Sequence, residues 1–105
     1  MTDTKIQEMQ MLEQNFQNLL LQKQAFQIEL SETKSALKEI EGAGDEVFKI
    51  IGQLMIKTDK EKIKQELSNK EKILTLRTST IEKQESSFTD RLDKLREEVM
   101  KEMKK

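Results

Sequence analysis

Apolar residues recur at heptad spacing through the first half of the chain. Met9, Leu12, Phe16, Leu19, Lys23, Phe26, Leu30, Thr33, Leu37 and Ile40 step by three and four, and only Lys23 and Thr33 among them are not apolar. In the second half Leu67, Leu74, Ile81, Phe88 and Leu95 return every seven residues. A seven-residue period keeps one stripe of a helix facing one neighbour over many turns, so each half predicts a long helix that needs a partner along its apolar face. Ile63 opens the second seam, polar Lys70, Arg77 and Gln84 stand where a second apolar column is expected, and Leu92 and Val99 shift the stripe near its end. The halves are expected to fold back as an antiparallel two-helix coiled coil with their free ends meeting near the termini.

Composition agrees with that architecture. At 105 residues, 34% hydrophobic and 37% charged, the chain is too polar for an ordinary globular core and is expected to form one coiled-coil domain. Proline is absent, and glycine occurs only at Gly42, Gly44 and Gly52, so no helix breaker lies outside the middle of the chain. Thr4 and Gln7 have the form of a capping box for a first helix over residues 4–41, which Gly42 or Gly44 would close in the left-handed conformation. Thr58-Asp59-Lys60-Glu61 opens a second helix over 59–104, with Glu61 in the first turn where the helix dipole favours negative charge.

Between the helices the heptad stops. Residues 46–57, Glu-Val-Phe-Lys-Ile-Ile-Gly-Gln-Leu-Met-Ile-Lys, are dense in β-branched and aromatic side chains around Gly52. Gly-Gln between two apolar runs fits a type II′ hairpin, whose first loop residue takes a positive φ that glycine adopts at little cost. Pairing Ile51 with Leu54 puts Val47, Ile51, Leu54 and Ile56 on one face and Phe48, Ile50 and Met55 on the other. Both faces are apolar, and an isolated two-stranded hairpin is marginal in water. Fully burying seven such side chains is worth on the order of 10 kcal/mol, which this chain has no other segment to supply. The covering surface is therefore expected from other chains, most simply by strand pairing into a closed barrel. The competing reading makes residues 46–57 a loop or short helix inside a helical hairpin.

The residue types exclude several functions. Histidine, cysteine, tryptophan and tyrosine are all missing, which removes imidazole and thiolate chemistry and leaves no expected catalytic, cofactor or metal site. Carboxylate pairs such as Glu97 with Glu98 lack an enclosed site to shift their pKa values. Gly42-Ala43-Gly44 lacks the Lys-Ser/Thr of a phosphate loop. Lys and Arg alternate with Asp and Glu through the second half, unlike the clustered basic face of a nucleic-acid binder. No apolar run exceeds three residues, against roughly 18 for a membrane span, and the first residues lack a signal-peptide pattern. The absence of cysteine suits a reducing cytoplasm.

Ile6, Met9, Met11, Val99, Met100 and Met103 lie near the free ends of the expected pair, where one partner helix gives little cover. Methionine suits shallow, adaptable contact with varied apolar surfaces, although the same residues also read as the end of the seam.

Helix, single hairpin and helix, with Glu46-Val47-Phe48-Lys49 leading to Gly52, then Leu54-Met55-Ile56-Lys57, Leu76-Arg77 and Ile81-Glu82-Lys83-Gln84-Glu85, resemble the β-type subunits of the prefoldin family over nearly the whole chain. Gln7, Gln10, Gln14, Gln17, Gln22, Gln24 and Gln27 in the first helix fit as well, whereas Phe48 stands where the family often has tyrosine. The resemblance implies a hexamer of two α-type and four β-type subunits whose hairpins form a double β-barrel. Its arms would hold unfolded polypeptide and pass it to a group II chaperonin without nucleotide hydrolysis. By position it assigns Val47, Phe48, Ile50, Ile51, Leu54, Met55 and Ile56 to oligomerisation, and Ile6, Met9, Val99, Met100 and Met103 to client binding. The alternative is a coiled-coil scaffold or tether that oligomerises through its hairpin.

Overall fold

The computed structural model describes residues 2–104: helix α1 over Thr2–Glu41, strands β1 over Glu46–Ile51 and β2 over Leu54–Asp59, and helix α2 over Lys60–Met103. Two compact units are formed, one from the chain up to Ala25 with the chain from Thr78, the other from Phe26 to Arg77.

In the first unit Leu12, Leu92 and Leu95 form a buried cluster with Met9 and Phe88 packed against it. Leu19, Ile81 and Val99 are buried alongside. Antiparallel pairing follows from the ion pairs that cross between the helices. Lys5 Nζ lies 2.6 Å from Glu102 Oε1, Arg96 Nη2 lies 3.4 Å from Glu13 Oε1, and Lys23 Nζ lies 3.3 Å from Glu85 Oε1. In the second unit Thr33, Ile40 and Leu74 are buried, with Phe26, Leu30, Leu37, Ile63 and Leu67 half-buried. Here Lys64 reaches Glu41 at 2.7 Å, Lys70 reaches Glu29 at 3.1 Å, and the Arg77 guanidinium lies 5.8 Å from the centre of the Phe26 ring.

Every position of the first seam is buried or half-buried, Lys23 and Thr33 included. The second seam differs from its expected course. Lys70, Arg77 and Gln84 are exposed, and the second column runs one residue later through Lys64, Glu71, Thr78, Glu85, Leu92 and Val99, all buried or half-buried. Leu92 and Val99 therefore continue an unshifted heptad column whose earlier members are polar.

The helix ends also correct the sequence reading. Helix α1 begins at Thr2, so Thr4 lies inside it and caps nothing. Neither Gly42 nor Gly44 has a positive φ. The helix closes instead with Ala43 N–H donating to the Ile40 carbonyl at 3.3 Å, and the Lys60 ammonium donates to the Ala43 carbonyl at 2.8 Å. Thr58 is paired with Val47 in the sheet, and Asp59 is the cap of α2: its Oδ1 accepts from the Glu61 N–H at 3.3 Å.

The hairpin register runs from Ile51↔Leu54 through Ile50↔Met55, Lys49↔Ile56 and Phe48↔Lys57 to Glu46↔Asp59, two residues beyond the expected end at Lys57. Gly52 has φ +61°, and among the described residues no non-glycine residue has a positive φ, which is the pattern of a type II′ turn with glycine first.

Candidate functional site

The alternation of β1 and β2 sends successive side chains to opposite faces, and both faces carry apolar groups. Phe48, Ile50, Ile51, Leu54, Met55 and Ile56 keep between 45% and 72% of their surface accessible. Val47 and its partner Thr58 are half-buried. Two ion pairs position this sheet: Lys49 Nζ reaches Glu66 Oε2 of α2 at 3.1 Å, and Lys57 Nζ reaches Glu46 Oε1 across the strands at 3.3 Å. A two-stranded sheet leaves an unpaired row of backbone groups along each outer edge. Exposed apolar faces and open edges are the two features that strand addition by another chain would cover.

The second candidate surface lies where the start of α1 meets the end of α2. Met100 and Met103 are 59% and 73% exposed, Ile6 is 37% exposed, and Met11 is 66% exposed. Val99, in contrast, is 7% exposed and belongs to the interior of the helix pair, and Met9 is half-buried against the leucine cluster. The accessible apolar group here is thus Ile6, Met11, Met100 and Met103, flanked by the Lys5–Glu102 pair. Met11 is two residues from the seam residue Met9, and that offset was the signal for its exposure.

Electrostatics at both ends rest on these pairs. Hydrogen bonding to Glu102, set against partial desolvation and helped by the Glu102 and Glu98 charges, raises the Lys5 pKa above its ordinary value. The Lys64 hydrogen bond holds the Glu41 carboxyl below the usual carboxylate value, and Glu41 in turn raises Lys64. Within the first unit Lys23, 23% exposed, donates to Glu85 Oε2 at 3.3 Å, and Glu85 itself is 19% exposed. Glu85 Oε1 is also 3.3 Å from that ammonium but outside hydrogen-bonding geometry.

Among the described residues no group of three or more His, Cys, Asp or Glu side chains is arranged to hold a metal ion, and no helix is long and apolar enough to cross a membrane.

Residues 3–105 match the family described as "Prefoldin subunit". The chain is 37% identical over 98 residues to the prefoldin subunit beta of Sulfurisphaera tokodaii, covering 91% of this chain and 78% of that protein. It is 38% identical over 91 residues to that of Pyrobaculum aerophilum, covering 85% and 72%. It also resembles the crystal structure of the prefoldin beta subunit from Thermococcus strain KS-1, with a TM-score of 0.86, 33% identity, and coverage of 95% of this chain and 90% of that one. The solved β subunit shares the arrangement of two long helices with one hairpin at their join over 95% of this chain. On fold, on sequence and over nearly its full length, this chain belongs to the prefoldin family of chaperone subunits, as a β-type member.

Proposed function

We propose that the chain is a subunit of an ATP-independent holdase. Its hairpin joins those of further copies and of α-type subunits, two α and four β in all, into a β-barrel through Val47, Phe48, Ile50, Ile51, Leu54, Met55 and Ile56. Non-native polypeptide is held at the paired helix ends by Ile6, Met100 and Met103, with Met11 beside them and Met9 and Val99 supporting the surface from within. The complex works in the cytoplasm and passes its cargo to a group II chaperonin.

The observation that carries this reading is the distribution of exposed apolar side chains. Among the described residues, six of the fourteen exposed large apolar side chains lie on the hairpin, where strand pairing can cover them permanently, and four near the helix ends, where methionine side chains can repack against varied sequences; Leu21, Ile28, Ile73 and Leu76 lie along the helices between. Holding such segments needs only reversible apolar contact, so no residue has to perform chemistry.

The test is light scattering from a heat- or dilution-denatured protein in the presence of this chain with an α-type partner. A holdase suppresses aggregation at near-stoichiometric amounts. A coiled-coil scaffold leaves the scattering unchanged, and that result would overturn the proposal.

A further inference from the structure

Along one flank of the first unit runs an open groove of about 340 Å³ with an unusual lining. Asn15, Asn18 and Gln22 form one rim on α1, and Gln84, Ser87 and Arg91 form the other on α2. Both triplets have the spacing i, i+3, i+7, which puts each on one helix face, and the helices run antiparallel, so the two rows face each other. The floor is Leu19, which is buried, and Phe88, which is half-buried.

Charge is nearly absent from this groove. Arg91, its one charged residue, lies 3.7 Å from Glu8, and the Lys23–Glu85 pair stands beyond the other end. Between those pairs Asn15, Asn18, Gln22, Gln84 and Ser87 make no side-chain hydrogen bond to another described residue. The opposite flank differs: there Arg96 reaches across to Glu13 at 3.4 Å in a groove that also contains Asp93.

Side-chain amides both donate and accept, and so match an N–H and a C=O equally. The rim residues four apart are separated by about 6 Å along a helix, close to the roughly 6.6 Å at which same-side groups repeat along an extended chain. A non-native segment presents unpaired backbone groups in that repeat whatever its sequence. We propose that this groove binds the main chain of an extended non-native polypeptide, its amides pairing with backbone groups while Leu19 and Phe88 receive one apolar side chain. The proposal rests on the holdase reading and adds to it a sequence-independent site beside the methionine surface. Phosphate or nucleic-acid ligands find no free cation there.

The test compares a fluorescent, permanently unfolded apolar peptide with a twin in which alternate backbone amides are N-methylated, binding each to the assembled complex by anisotropy. N-methylation removes N–H donors but also makes each amide tertiary and weakens its trans preference, so lost hydrogen bonds are told from lost shape by the triple variant, which lacks three of the rim amides. The parent is expected to bind about fivefold more tightly than its twin, a difference of the size of one net hydrogen bond. In the triple variant Asn18→Ala, Gln22→Ala, Gln84→Ala, whose exposed positions favour alanine in a helix, that preference should vanish. In Met100→Ser, Met103→Ser both peptides should weaken together and the preference should remain. Equal binding of parent and twin to the wild-type complex overturns the groove and leaves the holdase standing. Failure of the wild-type complex to bind the parent overturns both.

Discussion

Replacing Ile51 and Leu54 with aspartate tests whether the hairpin is an assembly surface. These residues face each other across the strands next to the turn and keep 52% and 66% of their surface accessible. Burying a whole side chain of this size is worth about 1.5–3 kcal/mol, so covering the exposed part of both contributes about 2–4 kcal/mol per subunit. Each aspartate adds an ion to be desolvated, at a cost of several kcal/mol when no partner charge meets it. Even the apolar loss alone weakens association by about 30-fold to 1,000-fold. Both positions already face solvent in the single chain, so helicity should persist. Light scattering or sedimentation of the chain with an α-type partner should show loss of the assembled mass while far-UV circular dichroism keeps its helical signal. Two aspartates opposite one another also repel within the hairpin, at about 0.2–1 kcal/mol. Ile51→Thr with Leu54→Thr retains β propensity without that repulsion and should still weaken assembly. An unchanged assembled mass in the aspartate variant would refute the barrel reading.

Leu74, 2% exposed, anchors the second unit, and Leu74→Ala is expected to cost about 2–5 kcal/mol in chemical denaturation. Gly52→Ala forces a side chain into φ +61° and should destabilise the hairpin by about 1–2 kcal/mol. Gly44→Ala should instead be neutral or stabilising by up to about 1 kcal/mol in the same melts, because an added Cβ there meets nothing within 4 Å and φ is not positive. Glu41 has a lowered folded pKa, so its contribution is present above the ordinary value of 4.5 and is lost as pH falls through the lower folded value. Lys5 has a raised folded pKa, so its contribution is present below 10.5 and is lost as pH climbs through the higher folded value. Melting temperature, followed by circular dichroism at low salt, should therefore be flat between these limits and fall outside them, and Lys5→Gln should reduce the alkaline fall, leaving the share of Lys64, and spare the acid one.

The first seam was legible because eight of its ten heptad positions are apolar, and the hairpin because its β-branched and aromatic residues flank a single glycine. All ten positions from Met9 to Ile40 are at least half-buried, and the register follows from one glycine that must take positive φ. The helix ends were less legible because they depend on competition. Thr58 has the side chain of a cap, but its backbone is paired with Val47, so the next acidic residue, Asp59, takes the role. The glycines after Glu41 offer a left-handed closure that the chain does not use, because Ala43 N–H and the Lys60 ammonium already satisfy groups at that end. At the other surface Val99 is covered and Met11 is exposed, a difference set by which side of each helix faces its partner.

The second seam of α2 was misplaced for a related reason: a search for apolar residues overlooks a column whose first four members are polar. Lys64 meets Glu41 and Glu85 meets Lys23 on the facing helix, whereas the Thr78 hydroxyl between them is buried without a hydrogen-bond partner. Such positions cost stability relative to leucine but restrict how the helices align. Apolar contacts repeat every heptad and would tolerate a slip of seven residues. That slip would set Lys23 against Thr78 or Leu92 in place of Glu85, leaving a half-buried ammonium without its carboxylate and the Glu85 carboxylate without its cation. The leucines and phenylalanines therefore determine that the helices pair, and the polar residues among them determine where.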